Sequence, residues 1–309
     1  LEKRLADFKH SESALVFNTG YMTNLGVLYG LLQTGDVVFS DELNHASIID
    51  GCRISRCKVV VYKHNDMADL QRLLETEIVT GQRFIVTDGV FSMDGDIADL
   101  PSLAVLKKQF NAFLIVDDAH GVGVIGNDGS GTASHYGLTD VIDLQVGTLS
   151  KALAAEGGYV AGKKILIDYL INRSRPFIFS TALAPATLAA ANAALLLLQT
   201  QASKYLDSLR ANSRLMRRLL LEGGLNVVEG ITPIIPVVIG EAGLTMQFAD
   251  RLKSKGILVS GIRPPTVPRG ESRLRITVTA AHCEEQLRQA AQIITALWQE
   301  LKHGEKKEG

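Results

Sequence analysis

The chain has 309 residues, of which 46% are hydrophobic and 21% are charged, and 32 Lys and Arg residues balance 33 Asp and Glu residues. This length predicts about two domains, and the composition excludes a disordered chain. The formal charge of −1 gives no overall basic field, so we expect neither a nucleic acid nor a membrane as partner. Three cysteines without a regular framework favour a reducing compartment, the cytoplasm, and their spacing predicts no metal site.

The first residues, Leu1 to Ala6, read as the middle of an amphipathic helix, without an initiator Met or a signal peptide. We therefore expect a leading N-terminal segment to be absent. The longest apolar stretch, residues 188–198, is far shorter than the ~20 residues that a membrane-spanning helix needs.

Short β-branched runs alternate with helix-period segments along the first 200 residues. Such alternation predicts βαβ units, and therefore a mainly parallel sheet with helices on both faces. Helices are predicted at 69–76 and 100–110. Strands are predicted at 37–39, 58–62, 84–87, 113–117, 142–146 and 158–161.

The last third of the chain has a different pattern. A long Ala- and Leu-rich helix is predicted from Pro185 to about residue 221, and further helices at 245–255 and 284–301. Strands are predicted at 234–238 and near residues 257 and 274. We interpret residues 1–200 as a large α/β domain and residues 201–309 as a small α+β domain.

Two glycine patterns resemble nucleotide-binding motifs without their structural context. Gly121-x-Gly123-x-x-Gly126 follows a strand, but the next residues predict a loop, whereas a dinucleotide fingerprint needs a helix to open at its glycines. The second pattern, residues 157–163, has Lys164 where a P-loop needs Ser or Thr. We expect neither motif to bind a nucleotide.

Polar side chains follow four of the predicted strands. Because ligands of such sheets bind outside the carboxyl ends of the strands, these residues are expected to share one edge. An acid, a lysine, two histidines and several hydroxyl groups collect there, and the main ones are His45, Ser92, Asp117, His120, Thr148 and Lys151.

Pyridoxal phosphate is a cofactor that uses such a set, because it needs a lysine amine and a carboxylate at its ring nitrogen. At ~3 Å and an effective dielectric constant of ~20, the attraction between that carboxylate and a protonated ring nitrogen is about 5 kcal/mol. Asp117, at a buried strand end, suits this task. Asp118 is expected to face the other side of the chain and to matter less.

Three segments together resemble the α-oxoamine synthases, which are pyridoxal-phosphate enzymes of fold type I. The resemblance implies a mainly parallel, seven-stranded α/β sheet in the large domain. The resemblance runs from Leu1 to about Leu301 and includes residues 44–47 and 64–66. The segments are Phe91-Ser92-Met93-Asp94-Gly95-Asp96, Val116-Asp117-Asp118-Ala119-His120-Gly121 and Gly147-Thr148-Leu149-Ser150-Lys151-Ala152.

The resemblance implies a role for each matching residue. Lys151 would bind pyridoxal 5'-phosphate covalently and move protons at the substrate, Asp117 would pair with the ring nitrogen, and His45 would stack on the ring. Ser92 and His120 would contact the phenolic oxygen. The phosphate would be held by Thr148 and the backbone N–H groups of Gly20 and Tyr21. In the implied homodimer, Ser180 or Thr181 would reach the partner's phosphate.

The resemblance also implies the reaction, a decarboxylative condensation of an amino acid with an acyl thioester. Arg275 matches an arginine for the amino-acid carboxylate, whereas Arg273 is interpreted as a solvated strand residue. The segment around Arg263, Ile262 to Pro268, favours L-alanine and a pimeloyl thioester, as in biotin synthesis. The target of Arg263 stays open between the pimeloyl carboxylate, the amino-acid carboxylate and a surface ion pair.

Several alternatives remain open. The first is condensation of glycine with acetyl-CoA, and the second is the family reaction that forms 5-aminolevulinate. A cofactor-free binding subunit is a third, against which Lys151 argues. The acyl carrier, coenzyme A or an acyl carrier protein, also stays open.

Overall fold

The computed structural model describes residues 1–308 and the side chains of residues 1–302. The chain divides into two units. The first consists of Leu1–Phe91 and Ile97–Ser203, and the second of Ser92–Asp96 and the residues from Lys204 onward. The short segment Ser92–Asp96 therefore belongs to the second unit, although the sequence pattern assigned it to the first domain.

The first unit is built on a seven-stranded sheet. Its strands are, in chain order, β1 Ser13–Phe17, β2 Val37–Asp41, β3 Lys58–Tyr62, β4 Arg83–Asp88, β5 Phe113–Asp117, β6 Leu144–Thr148 and β7 Gly158–Gly162. Their order across the sheet is β1-β7-β6-β5-β4-β2-β3. The five strands from β6 to β3 are parallel, and β7 and β1 are antiparallel to their neighbours.

Both faces of the sheet are buried along β2, β4, β5, β6 and β7, which explains the almost continuous apolar runs there, whereas Val59 and Val61 of the edge strand β3 are exposed. Successive side chains of a strand point to opposite faces. In β5, Leu114 and Val116 accordingly pack into one hydrophobic cluster, and Ile115 packs into another. The parallel register aligns Asp88 of β4 with Asp117 of β5, so that the polar strand ends lie side by side.

Helices follow most of the strands. Helix α9, Pro185–Glu222, has non-helical backbone at Gln201. The others that begin in the first unit are α1 Glu2–Phe8, α2 Gly20–Leu31, α3 Ala46–Ser55, α4 Met67–Thr76, α5 Leu100–Gln109, α6 Thr132–His135, α7 Lys164–Arg173 and α8 Arg175–Ile178. Within the described residues, no helix combines the length and the apolar character needed to cross a membrane.

The second unit contains a three-stranded antiparallel sheet of order β8-β10-β9. Its elements are β8 Ile234–Gly240, α10 Ala242–Ser254, β9 Ser260–Ile262, β10 Ser272–Thr277 and α11 Glu284–Glu308. The aromatic rings of Phe248 and Trp298 stack in its core with centroids 5.7 Å apart. This sheet with its helices is the predicted α+β architecture.

The predicted mainly parallel sheet with helices on both faces is confirmed, with three local differences. β1 was not predicted, and it lies at the sheet edge. β6 begins two residues late, because Ile142 continues a turn in which its N–H donates to the Leu138 carbonyl. No strand forms at Ile257, because its N–H closes α10 by donating to the Leu252 carbonyl at 3.0 Å.

Neither nucleotide-binding pattern acquires the context that it needs. The glycines of the first pattern lie in turns, and the next helix, α6, begins only at Thr132. Between β7 and α7, a single residue, Lys163, separates strand from helix, which is too short for a phosphate-binding loop.

Candidate active site

Asp117 lies at the carboxyl end of β5 and is buried, with 7% of its surface exposed. Its Oδ1 accepts the N–H of Ala119 at 3.0 Å, and its Oδ2 accepts the side-chain amide of Asn24 at 2.6 Å. These donors stabilise the charged form of the carboxyl and fix its orientation. Asp117 is therefore a pre-positioned anion at the edge of the sheet.

His45 is connected to Asp117 through two buried side chains. The same Asn24 nitrogen donates to Ser47 Oγ at 2.9 Å, and Ser47 Oγ lies 2.7 Å from His45 Nδ1. His45 is the N-cap of α3, because its Nδ1 also accepts the Ser47 N–H at 3.2 Å. The ring itself is exposed to solvent.

Asp88 is a second buried carboxyl beside Asp117, at the end of β4. Burial raises its pKa well above the usual range, the charge of Asp117 raises it further, and the backbone N–H of His45 and the charge of Lys151 oppose the rise. The proton is therefore bound more tightly by the Asp88 carboxyl than by an exposed aspartate. Because the charge of Lys151 acts on Asp88, this lysine lies near the same strand ends as the two carboxyl groups.

Lys151 lies in the turn that follows β6. Its carbonyl accepts the Ala154 N–H at 3.1 Å, and Ala154 has a left-handed backbone, with φ +49°. The Leu149 N–H donates to the Gly157 carbonyl at 2.9 Å, which closes the loop. Lys151 is exposed to solvent at this edge of the sheet.

The N-terminus of α2 lies against Thr148. A Cβ on Gly20 would lie 3.3 Å from both Cβ and Oγ1 of Thr148, so the backbone approaches that hydroxyl closely. Thr19 caps the helix by accepting the Met22 N–H at 3.0 Å. The first N–H groups of a helix have no intrahelical acceptor, and those of Gly20 and Tyr21 precede the capped one. This is the geometry of an anion site.

The segment that carries His120 is anchored by a buried ion pair. Asp118 faces away from Asp117 and contacts Lys9, with Nζ 3.0 Å from Oδ2, and neither side chain is more than 1% exposed. Asp118 also accepts the backbone N–H and the hydroxyl of Thr132, at 3.0 and 2.9 Å. His120 is half-buried in the following turn.

Ser180 and Thr181 follow α8. The carbonyl of Thr181 accepts the Asn18 side-chain amide at 2.7 Å, which ties this segment to the residue just before the cap of α2. Ser180 is half-buried and Thr181 is exposed.

The other three predicted site residues, Ser92, Arg263 and Arg275, belong to the second unit. Within it, Arg275 is half-buried and donates from Nε to the Ser92 carbonyl. Arg263 follows β9 and is exposed. The interpretation of Arg273 as solvated is wrong, because it is 4% exposed and forms ion pairs with Asp94 and Glu271.

Four residues of this site were not singled out from the sequence: Lys9, Asn24, Ser47 and Asp88. Asn24 is a polar residue within an otherwise largely apolar helix pattern, and Asp88 ends a strand as Asp117 does. The sequence pattern could therefore have identified these two positions as candidate site residues. No local pattern identifies Lys9, because its partner, Asp118, is 109 residues away in the chain. Among the described residues, no group of three or more His, Cys, Asp or Glu side chains is arranged to hold a metal ion.

Comparison with known proteins gives consistent matches. The model of the family described as aminotransferase class I and II matches residues 1–294. The 8-amino-7-oxononanoate synthase of Lysinibacillus sphaericus is 51% identical over 287 residues, which are 93% of this chain and 74% of that protein.

Two solved structures extend these matches. A high-resolution structure of SPT with PLP has a TM-score of 0.94 and 31% identity, covering 97% of this chain and 76% of the other. The 8-amino-7-oxononanoate synthase of Francisella tularensis has a TM-score of 0.83 and 32% identity, covering 98% and 86%.

Proposed function

The chain belongs to the class I and II aminotransferase family, and on that premise we propose that it is an 8-amino-7-oxononanoate synthase. Its cofactor is pyridoxal 5'-phosphate. It condenses L-alanine with a pimeloyl thioester and releases carbon dioxide and the thiol, a step of biotin biosynthesis. The observation that carries this proposal is the 51% identity to such a synthase over 93% of the chain.

The residues of the first unit fit the cofactor. A buried, hydrogen-bonded carboxyl group, Asp117, suits a cationic ring nitrogen, and the charge of Lys151 acts on the neighbouring Asp88. The glycine at the start of α2 leaves room that a Cβ would fill against Thr148. An acid, an amine and an anion site at one sheet edge are the donor set that this cofactor needs.

In this proposal each residue keeps the role that the resemblance implied. Lys151 would hold the cofactor covalently, and Asp117 would pair with its ring nitrogen. His45 would cover the ring face. Thr148 and the N–H groups of Gly20 and Tyr21 would hold the phosphate, because a helix N-terminus favours a dianion.

When bound, the cofactor supplies an electron sink for the α-carbon of the amino acid. Asp117 keeps a positive charge favourable at the ring nitrogen, which is the condition for that chemistry. Lys151 moves the proton at the α-carbon of L-alanine. His45 orients the reacting groups by covering one side of them and excluding water there.

The polar residues of the second unit are proposed to act on the substrates and the ring. Ser92, with His120, would hydrogen-bond the phenolic oxygen of the cofactor. Arg275 would bind the carboxylate of the amino acid, because a planar guanidinium matches a carboxylate in a bidentate manner. Arg263 would bind the pimeloyl carboxylate or share the amino-acid carboxylate. The acyl donor is a thioester of coenzyme A or of an acyl carrier protein.

We infer a homodimer in the cytoplasm. Ser180 or Thr181 would complete the phosphate site of the partner subunit. The nearby Phe179 supports an interface, because its ring is 71% exposed in the single chain, and buried aromatic residues are common at subunit contacts. Three cysteines, of which Cys283 is exposed, fit a reducing compartment.

The experiment is to incubate the purified protein with pyridoxal phosphate, L-alanine and pimeloyl-CoA, and to follow thiol release and product mass. We expect thiol and 8-amino-7-oxononanoate in equal amounts. The Lys151→Ala variant is the control, and it should release no thiol. Product from glycine and acetyl-CoA instead of from L-alanine would replace this proposal by the alternative condensation of glycine with acetyl-CoA, the reaction of a 2-amino-3-ketobutyrate CoA ligase.

A further inference from the structure

The imidazole of His45 and the carboxylate of Asp117 are joined by a continuous chain of hydrogen bonds through the interior of the first unit. Its links are Asp117 Oδ2 to Asn24 Nδ2 at 2.6 Å, Asn24 Nδ2 to Ser47 Oγ at 2.9 Å, and Ser47 Oγ to His45 Nδ1 at 2.7 Å. The two middle residues are at most 3% exposed, so water does not compete with these bonds.

The direction of each bond follows from the hydrogens available. A side-chain amide has two N–H donors on one nitrogen, and the Asn24 nitrogen faces two oxygens. The reverse orientation of the amide would place its carbonyl against the Asp117 carboxylate, which is repulsive. Asn24 therefore donates to both Asp117 and Ser47.

The hydroxyl of Ser47 then has one hydrogen left to donate. Because the backbone N–H of Ser47 donates to His45 Nδ1 at 3.2 Å, that nitrogen is an acceptor, and the Ser47 hydroxyl, which accepts from Asn24, directs its O–H to it. A nitrogen that accepts two donors carries no proton, so the ring is in the tautomer with the proton on Nε2.

The helix contact that aligns these groups is itself built into the sequence. Gly51 lies one turn after Ser47 on α3, and a Cβ there would lie 2.7 Å from Leu28 Cδ1 and 3.2 Å from the Asn24 carbonyl oxygen. The missing side chain lets α3 approach α2 closely. Ser47 thereby comes within hydrogen-bonding distance of Asn24.

We propose that Asn24 and Ser47 are positioning residues that set the tautomer and orientation of the His45 ring and couple it to the Asp117 carboxylate. The inference rests on the proposed roles of His45 and Asp117 toward the cofactor. A ring fixed by Nδ1 presents its face and its Nε2–H in one orientation before the cofactor binds. The carboxylate is fixed by the same amide.

The direct test is ¹⁵N NMR of histidine-labelled protein without cofactor, in which the His45 signal, one of seven, is assigned by its loss in His45→Gln. We expect a protonated Nε2 and an unprotonated, hydrogen-bonded Nδ1. In Ser47→Ala the Nδ1 signal should shift and both tautomers should appear. Ser47→Thr, which keeps the hydroxyl, should restore the wild-type signal. A wild-type ring protonated on Nδ1 would overturn the proposal.

Asn24→Ala tests whether the whole hydrogen-bond chain from Asp117 to His45, here called the relay, sets the ring, or whether Ser47 alone does. Asn24 does not hydrogen-bond His45 itself, so a change at His45 in this variant must pass through Ser47. We expect the His45 signal to move in this variant as well, while the other histidine signals stay. Ser174→Ala is the matched control, since Ser174 is also a fully buried serine of the first unit and its hydroxyl has no hydrogen-bond partner among the residues that the structure describes. It should leave the His45 signal unchanged.

Cofactor affinity gives the second readout. Ser47→Ala should raise the dissociation constant of pyridoxal phosphate roughly threefold to tenfold, the effect of one lost hydrogen bond. If Ser47→Ala leaves both the His45 signal and this constant unchanged, the proposal is wrong, whether or not Asn24→Ala folds. Neither readout needs turnover. A normal His45 signal in a protein that releases no thiol would therefore refute the proposed reaction and leave the relay intact.

Discussion

Replacement of Lys9 by Met should destabilise the protein strongly, although Lys9 is remote in sequence from the proposed chemistry. Lys9 and Asp118 are 0% and 1% exposed, and their charged atoms are 3.0 Å apart. Lys9 Nζ also donates to the Ser130 carbonyl. Met has a similar length without the charge, so the substitution leaves a buried carboxylate without its cation.

Removal of one partner of a buried ion pair costs about 3–5 kcal/mol. For a domain of this size, 1 kcal/mol lowers the melting temperature by about 2–4 °C, so we expect a decrease of roughly 6–20 °C. The environment cannot relax easily, because Gly131, with φ +112°, approaches Asp118 so closely that a Cβ would lie 1.7 Å from Oδ2. Differential scanning calorimetry of the two proteins measures the difference.

The dependence on pH has a definite sign. Burial raises the pKa of Asp118, and Lys9 opposes the rise, so the pKa should rise further in Lys9→Met. A carboxyl that binds its proton more tightly when folded gains stability as the pH falls through its folded pKa toward its unfolded value. The deficit of the variant relative to the wild type should therefore shrink at acidic pH.

Lys164→Met is the matched control for this prediction. Lys164 pairs with Asp168 at 2.7 Å, but the two side chains are 67% and 51% exposed. An exposed helical pair contributes about 0.3–0.5 kcal/mol, so this variant should melt almost as the wild type does. Equal melting temperatures for Lys9→Met and Lys164→Met would refute the reasoning.

Three further predictions concern the proposed reaction. Lys151→Ala should lose the absorption band of covalently bound cofactor and all turnover, and borohydride reduction with peptide mapping of the wild type should label Lys151 and no other lysine. Asp117→Asn should still bind cofactor but exchange the α-proton of L-alanine more than about tenfold more slowly, because a neutral amide forfeits an attraction of about 5 kcal/mol before solvent screening. Deuterium exchange of L-alanine measures this rate. A larger loss in Asp118→Asn would contradict the pairing of Asp117 with the ring nitrogen. Arg263→Ala should raise the KM of a charged substrate roughly tenfold to a hundredfold, equivalent to ~1.5–3 kcal/mol. An unchanged KM for both substrates would show that Arg263 binds neither of them.

The central sheet and the strand-end residues could be predicted because both follow from local patterns. Asp117, Thr148 and Lys151 lie at or just after the carboxyl ends of buried parallel strands, as the alternation of strands and helices indicated. The residues that position them depend on packing between distant segments. Asn24 meets Asp117 93 residues away, and only the close crossing at Gly51 brings Ser47 to it.

Charged residues of the second unit illustrate the same limit. Arg273 and Arg275 alternate along β10 in a pattern typical of a strand with a solvated face. Nevertheless, Arg273 is buried. The segment Ser92–Asp96, which lies much earlier in the chain, belongs to the same unit and supplies Asp94 as its ion-pair partner. A local pattern contains no information on a partner 179 residues away.

The most direct test of the proposed function is a comparison of kcat/KM for two substrate pairs, measured by thiol release from the same preparation. We predict that L-alanine with pimeloyl-CoA exceeds glycine with acetyl-CoA by at least about tenfold, a difference of about 1.4 kcal/mol in transition-state stabilisation. Equal values, or a preference for glycine with acetyl-CoA, would contradict the proposal that the chain forms 8-amino-7-oxononanoate.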